Sequence, residues 1–485
     1  MGNPEKRDKI AARHPDNHCQ RHDRHMTPET EATAPNDGTA PLGPILLLFA
    51  TVLFGLSVRG GSLASLAALP ATLVLFFVMY STKRDAMARV ESRPLEIRLF
   101  IGVLVFSALA IFGWAPSSFG PTSLALEVTP FLLWAALAMV VYLPTRELSV
   151  FSKSVVVAGG LALTLVAGVN HIAATEGVGI DVLFLHIEAA DAIEQGLNPY
   201  SDAVSVPNGA PTAEPGDVIE GYVYPPVTAV SYAVGEWALS DPRYTSLAAW
   251  LVFLSVIGLT AARRTGRSGL LVFLLMASIP GWPLVLRAAW TEPLSLSFAA
   301  VAFAYWARPL VSGVFLGLTL GSKQYFAVVA PLLALFRDRL WLQRAIWALS
   351  VVVVTVGAAV ALDVSAFWES AVAFHTSTPP RPDSVNLVGL LASFDVDWRP
   401  PSLLAIAVGL GTAIWAGIRN ERRPHFFLAM AVTLAASFMV SSQAFANYWF
   451  LIFGLCGLGL LDLTADRDRA RVGQPIESTR LGDLA

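Results

Sequence analysis

Apolar and polar residues alternate along this chain in long blocks. Runs of about 15–20 apolar residues, the length that crosses a hydrocarbon core of about 30 Å, begin near residue 42 and recur almost to the end. Spans are expected at 42–58, 62–80, 98–114, 128–144 and 154–172. After a polar interval they resume at 244–262, 269–282, 293–307, 309–321, 325–336, 345–362, 401–418, 426–440 and 447–462. In lipid, backbone groups must be satisfied within each segment, so helices are expected over strands. The expected fold is therefore all-α, a polytopic transmembrane protein of about 14 spans. The stretch 225–239 (PPVTAVSYAVGEWAL) is short, proline-led and broken by Glu236. It is expected to re-enter or to lie along the interface.

The polar interval 172–224 has a different character. It holds nine carboxylates (Glu176, Asp181, Glu188, Asp191, Glu194, Asp202, Glu214, Asp217 and Glu220), and no Lys or Arg lies between Lys153 and Arg243. Cytoplasmic loops collect Lys and Arg, so this loop belongs on the extracytoplasmic face. Lys83, Arg84, Arg89, Arg93 and Arg98 lie between spans two and three, and Arg146 and Lys153 between spans four and five. With those groups inside, both termini are cytoplasmic. The loops carrying Arg263, Arg264 and Arg267, then Arg337, Arg339 and Arg344, then Arg419, Arg422 and Arg423, also fall inside. The outer face carries the acidic loop, the turn 281–293, the Gly321–Tyr325 turn, the long loop 363–400 and the short segment SSQAFANYW. The expected organisation is a polar tail (1–41), a four-span module (42–150), a main membrane domain (151–463) with outer loops 172–224 and 363–400, and a tail (464–485).

Composition agrees with the membrane class. The 485 residues are 55% hydrophobic and 14% charged, against roughly a quarter charged in soluble chains. Cys19 and Cys456 lie in a tail and in an apolar span, so no disulfide framework is expected. The head of the chain is too long and mixed for a signal-peptide n-region, and Met26 is an alternative start. His14, His18, His22 and His25 with Cys19 have spacing that a metal accepts, but Pro15 and the polar composition favour a solvated tail.

Candidate chemistry concentrates on the outer face. Asp181 stands just beyond span five, where partial desolvation raises a carboxyl toward the basicity of a general base. The alternative is an ordinary solvated acidic helix. Val182, Leu185, Ala189 and Ile193 are helically spaced, with His186, Glu188, Asp191 and Glu194 elsewhere on the helix. Gly196 ends that helix, and Asn198-Pro199-Tyr200 makes a turn. Lys323 is the sole lysine after Lys153. As an isolated cation at a span end it snorkels to the interface or finds an anion such as a phosphate. Arg287, near Trp290 and Glu292, is a second cation of this kind. Asp395-Val396-Asp397 has the D-x-D form of metal-dependent sugar-nucleotide enzymes, with an exposed acidic turn as the plainer account. His375, Arg381 and Arg399 share its loop. Tyr222, Tyr224, Trp282, Trp290, Trp398, Tyr448 and Trp449 fall near interfaces, where an aromatic belt accounts for most of them.

Several short motifs occur in a telling order: Asp181-Val182-Leu183-Phe184, Ala189-Ala190, Gln195-Gly196-Leu197-Asn198-Pro199-Tyr200, Tyr222-Val223-Tyr224-Pro225-Pro226, then Gly317 to Lys323 with Gln324. The series, spread across 154–462, resembles the GT-C superfamily of membrane glycosyltransferases. It is most similar to the polyprenol-phosphate-mannose-dependent mannosyltransferases of glycosyltransferase family 87. The resemblance implies that Asp181 is the catalytic base and that Lys323 contacts the lipid phosphate. It also implies that the Tyr-Pro-Pro segment shapes the outer cavity. Tyr200, Tyr222, Tyr224 and Gln324 of the matching motifs, with Arg287, Glu292 and His375 from the outer-face reading above, are candidate substrate-binding residues. The first four spans depart from the family pattern, which places its loop after the first span. No cofactor is expected; a divalent metal is allowed on the phosphate but not required. The implied partners are a polyprenyl-phosphate sugar, a lipid or glycan acceptor and membrane lipids, with no nucleic acid, at the cell membrane. A transporter or flippase of a lipid-linked substrate is the competing class, against which the large acidic loop and the scarcity of charge within the spans argue.

Overall fold

The computed structural model describes residues 96–105, 124–143, 148–175, 180–208, 216–279, 281–336, 338–377, 381, 384–392, 394–419 and 423–471. All of them belong to one unit, Gly38–Ala485. The expected spans at 42–58 and 62–80, and the His14–His25 cluster, lie outside the described residues, and 98–114 is described only to residue 105, where it is helical.

The described chain is almost entirely helical. After the stretch at 96–105 come α1 (Leu124–Tyr142), α2 (Val150–Ala174) and α3 (Asp181–Glu194). Two short strands, β1 (Ser205–Pro207) and β2 (Val218–Glu220), pair antiparallel in the acidic loop with Val206 opposite Ile219. Then follow α4 (Pro226–Leu239), α5 (Arg243–Arg264), α6 (Arg267–Ala277), α7 (Trp282–Arg287), α8 (Glu292–Ala304) and α9 (Pro309–Leu320). A 3-10 helix (Gln324–Val329) runs into α10 (Ala330–Leu335), followed by α11 (Trp341–Leu362). The loop after it contains α12 (Val364–Phe367), a π-helical turn (Trp368–Ala373), α13 (Phe374–Ser377) and α14 (Leu387–Ala392). The chain closes with α15 (Ser402–Arg419), α16 (Arg423–Met439) and α17 (Ala446–Arg471).

Five of these helices are long and apolar enough to cross a membrane: Val150–Ala174, Arg243–Arg264, Trp341–Leu362, Ser402–Arg419 and Ala446–Thr464. Six further apolar helices are shorter, among them α6 with 11 residues and α9 with 12. At 1.5 Å per residue these two reach about 17 and 18 Å, well short of a bilayer core of about 30 Å. The two differ in how their apolar surface is covered: in α9 Leu316 is buried while Leu310 is exposed. In α6 every residue from Ser268 to Ala277 is buried, so its apolar character runs all round the helix. The long helix α11 is the opposite case: only Arg344, Ala348 and Ala359 are buried, and its Leu349, Val353 and Val354 are exposed.

The span expected at 269–282 does not run as one helix. It stops at Ala277, and the chain turns at Gly281, whose φ of 105° is open to glycine. Pro283 sits in the first turn of α7, where its missing N–H is no loss. The expected loop at 363–400 is likewise not featureless, because four short helical turns fold over the end of the bundle.

Small residues set the register around Lys323. A Cβ on Gly313 would lie 2.6 Å from the Arg344 carbonyl oxygen, and one on Gly317 would lie 2.6 Å from that of Ala348. The backbones of α9 and α11 therefore touch and run in the same direction. Gly409 and Gly417 receive Val328 and Leu335 in the same way, so the segment 324–335 runs parallel to α15. The chain thus turns back at Gly321-Ser322-Lys323. One end of the bundle gathers Glu292, Lys323, Tyr325, Phe438 and Tyr448. The other end gathers Trp306, Phe336, Asp338, Arg344 and Phe426. There Arg344 is fixed by Asp338 at 3.0 Å, by Ser312 Oγ at 3.0 Å and by the Trp306 carbonyl at 2.9 Å.

Candidate functional site

The acidic loop folds around α3. Leu185, Ala189 and Ala192 pack with Val206, Ile219, Tyr200 and Tyr222, with Val182 and Ile193 at the margin. A second face of the same helix sets Leu183 and Ile187 against Tyr232, Ala289 and Leu294. The helix ends as its sequence implies. Gly196 has φ 71° and donates to the Ile193 carbonyl, and Leu197 N–H reaches back to the Ala192 carbonyl at 2.8 Å, which satisfies the last carbonyls. His186, grouped with the polar positions on sequence, is instead buried at 1% exposure. Its second ring nitrogen explains why burial is tolerated. Nε2–H donates to the Ala289 carbonyl at 3.1 Å, so Nδ1 is the lone-pair nitrogen that accepts from Tyr222 Oη at 2.8 Å. The ring stacks on Tyr232 at 3.8 Å. Burial holds this imidazole neutral, with its pKa lowered to about 3.

Asp181 is the first residue of α3, half-buried, with Oδ1 accepting the Val182 N–H at 2.9 Å. Burial raises its pKa above the ordinary carboxylate value, against smaller downward effects from that N–H and from the Arg381 guanidinium. The helix N-terminus favours its anion as well.

The three loop tyrosines separate in role. Tyr200 Oη donates to the Tyr224 carbonyl at 3.0 Å, and Tyr222 serves His186. Both are scaffold. Tyr224 alone turns toward Lys323, whose Nζ stands 5.0 Å from its ring centre. Burial, and then the charges of Asp181 and Glu292 among its neighbours, raise the pKa of the Tyr224 hydroxyl well above the usual phenol value. Pro225 and Pro226 start α4, and Thr228 of that helix donates to the Ser322 carbonyl, fixing the turn before Lys323.

Lys323 is not the isolated cation expected from sequence. Nζ lies 2.7 Å from Glu292 Oε1, and the two side chains are 4% and 0% exposed. The antiparallel pairing of α8 and α9 brings together residues 31 positions apart. A buried ammonium without such a partner is strongly disfavoured, so the pairing is what a lysine at this depth requires. Three rings enclose it, Tyr224 at 5.0 Å and Tyr325 and Tyr448 at 5.4 Å each, a cation–π setting. Asn447 Nδ2 donates to Glu292 Oε1 at 2.9 Å, and Tyr325 Oη reaches it at 3.3 Å.

Gln324 and His375 meet at one carbonyl, that of Val223, at 3.4 and 2.9 Å. The His375 bond fixes Nε2 as the donor and leaves Nδ1 as a lone pair. Burial and Lys323 keep the ring neutral, with a pKa lowered to about 4. Arg381 lies on the same side, over the Phe445 ring at 4.5 Å. Arg287 is not brought into this group. Burial and then the Arg243 charge lower its pKa, and Arg243 itself is buried, joining Asp241 at 2.6 Å to the Thr175 carbonyl at 3.0 Å.

Of the expected residues, the fold thus gathers Asp181, Tyr224, Glu292, Lys323, Gln324 and His375, while Tyr200 and Tyr222 brace them and Arg287 stands apart. The D-x-D turn is exposed, with Asp397 occupied by Arg399 at 3.1 Å and Asp395 at φ 59°. Among the described residues no three His, Cys, Asp or Glu side chains are placed to hold a metal ion. The aromatic-belt expectation fails for Tyr222, Tyr224, Trp282 and Trp449, which are 0%, 8%, 4% and 1% exposed; Trp449 donates to the Val385 carbonyl at 2.9 Å. Sequence reasoning missed Asn447 and Tyr325 and gave Tyr448 the wrong setting. The only signal was that SSQAFANYW faces the same side as Lys323. Comparison with known protein families, with curated proteins and with solved structures gives no match.

Proposed function

We propose that this protein is an integral membrane glycosyltransferase of the GT-C type, similar to family 87, that transfers a sugar from a polyprenyl-phosphate donor to an acceptor hydroxyl. One observation carries the reading. A carboxyl whose pKa is raised by burial, Asp181, and a buried cation, Lys323, flank the same tyrosine at one end of an apolar helical bundle.

That end is the extracytoplasmic one in this reading. It carries the acidic loop, while Arg339, Arg344, Arg419 and the Arg263–Arg267 turn belong to the other end or its loops, as the positive-inside rule asks. About 14 crossings remain part of the proposal, with the short helices counted as membrane-embedded.

The chemistry follows from the groups present. Asp181 takes the proton of the acceptor hydroxyl, whose oxygen attacks the anomeric carbon from the face opposite the phosphate. The bond from anomeric carbon to phosphate oxygen breaks, and the electron pair leaves with the polyprenyl phosphate. One displacement inverts the anomeric configuration. Phosphate leaves readily, so one carboxylate suffices and no general acid is needed. Lys323 and Arg381 supply positive charge for the phosphate, and Glu292 holds the ammonium in place. Mannose is the sugar the resemblance favours.

The test is transfer from radiolabelled polyprenyl-phosphate mannose to a membrane-lipid acceptor pool, by purified protein in liposomes. Wild type should transfer the sugar. Asp181→Asn, with helicity unchanged by circular dichroism, should lose about 10²–10⁴-fold in rate, the usual worth of a general base. Equal turnover in both would remove Asp181 from the mechanism. A transporter would instead move the labelled lipid across the bilayer without releasing or transferring the sugar.

A further inference from the structure

The Lys323–Glu292 pair leaves two acceptors unanswered. Glu292 Oε2 and Asn447 Oδ1 are both buried and have no hydrogen-bond partner. Their residues are 0% and 3% exposed, and they touch each other through the 2.9 Å bond from Asn447 Nδ2 to Glu292 Oε1. The donors that bond this carboxylate all do so at Oε1: Lys323 at 2.7 Å, Asn447 at 2.9 Å and Tyr325 at 3.3 Å. Buried acceptors left bare are costly, and native proteins keep few of them outside functional sites.

The missing partner must be a donor. A metal cation is disfavoured there, because the Lys323 ammonium lies against the same carboxylate and repels a second positive charge. Neutral hydroxyl groups carry no such penalty. Two adjacent acceptors, one on a carboxylate and one on an amide, suit two neighbouring hydroxyls of a polyol. The surroundings also suit a sugar ring, with Tyr224, Tyr325 and Tyr448 presenting aromatic surface around the polar centre. Access runs past two rings: Tyr325 and Tyr448 are only half-buried, and the 3.3 Å contact of Tyr325 Oη is long for an O–H bond and yields easily.

We infer that Glu292 Oε2 and Asn447 Oδ1 form a recognition site for neighbouring hydroxyls of a sugar, placed beside the Lys323 charge so that one ligand satisfies both. This rests on the glycosyl-transfer reading and adds to it: Lys323 answers the phosphate, and the Glu292–Asn447 pair reads the sugar.

The experiment compares two lipids on the intact protein in detergent, polyprenyl-phosphate mannose and bare polyprenyl phosphate, by equilibrium binding. Wild type should prefer the sugar-bearing lipid by about tenfold to a hundredfold, as one or two hydrogen bonds to polar and charged acceptors imply. In Asn447→Leu the preference should fall to within about twofold. Glu292→Gln, which keeps the shape, should also narrow it. Lys323→Met should weaken both lipids together. Equal wild-type affinity for the two lipids overturns the inference whether or not any variant folds, and the pair then holds a trapped water only. So does an undiminished preference in a folded Asn447→Leu. Failure of folded wild type to bind either lipid is a different result, which sinks the lipid-donor reading and this inference with it.

Discussion

The buried ion pair gives the sharpest test of the physical reasoning, because its consequences do not depend on any activity. Lys323→Met removes the ammonium and leaves the Glu292 carboxylate, 0% exposed, beside Asn447 and Tyr325 alone. Breaking a buried pair from one side costs about 3–5 kcal/mol, mostly for the uncompensated charge. Glu292→Gln strands the ammonium instead. It should cost somewhat less, because three tyrosine rings remain around Nζ and a desolvated cation–π contact is worth about 2 kcal/mol. If the two costs added, Lys323→Met/Glu292→Gln would lose about 5–8 kcal/mol. It should not, because with both charges gone neither penalty remains, and the double variant should be no less stable than Lys323→Met. The assay is unfolding in mixed micelles titrated with dodecyl sulfate, followed by circular dichroism, for wild type, both singles and the double. A Lys323→Met cost below about 1 kcal/mol would place the side chain in water, not against Glu292. Additive losses would show that the two residues do not interact.

Three further outcomes follow from named contacts. His186 is buried neutral with a pKa of about 3, against 6.5 ordinarily. The unfolded chain takes up its proton below pH 6.5 and the folded chain does not until about pH 3, so this contribution is intact at neutral pH and is lost between those values. From pH 7 to 5 the loss is about 2 kcal/mol, and wild type should lose that much more than His186→Gln in the same titration; an unchanged gap would refute it. Gly317→Ala should destabilise by about 1–3 kcal/mol, since its Cβ would meet the Ala348 carbonyl at 2.6 Å. Gly159→Ala, with open space around it, should be neutral or stabilising by about 0.5–1 kcal/mol, and equal effects would undo the packing argument. The acid limb of the transfer rate should reflect an Asp181 pKa above the ordinary carboxylate value. Because Arg381 favours the anion, Arg381→Ala should move that limb to higher pH, and a shift to lower pH would contradict the placement.

The sequence alone determined whatever depends on local or one-dimensional pattern. The apolar runs specified the helices, since a backbone without water must bond within its own segment. Five of those helices have spanning length. The 3.6-residue spacing from Val182 to Ile193, and the glycine at 196, placed α3 and its end within a residue. Lys323 drew attention because a lone lysine in apolar surroundings needs an account. Its answer, Glu292, was not legible, because the pairing depends on α8 and α9 running antiparallel with a particular register, which a linear reading does not give. His186 shows the same limit. At 3.6 residues per turn it falls on the apolar stripe with Val182, Ala189 and Ile193, so its burial was legible from spacing, but only the tertiary arrangement supplies both Ala289 and Tyr222 to its two nitrogens. Asn447, Tyr325 and Tyr448 carry no motif at all; they matter because three distant turns close on one carboxylate. Pattern fixes what each segment must do about water, and only the packed chain decides which buried polar groups find each other.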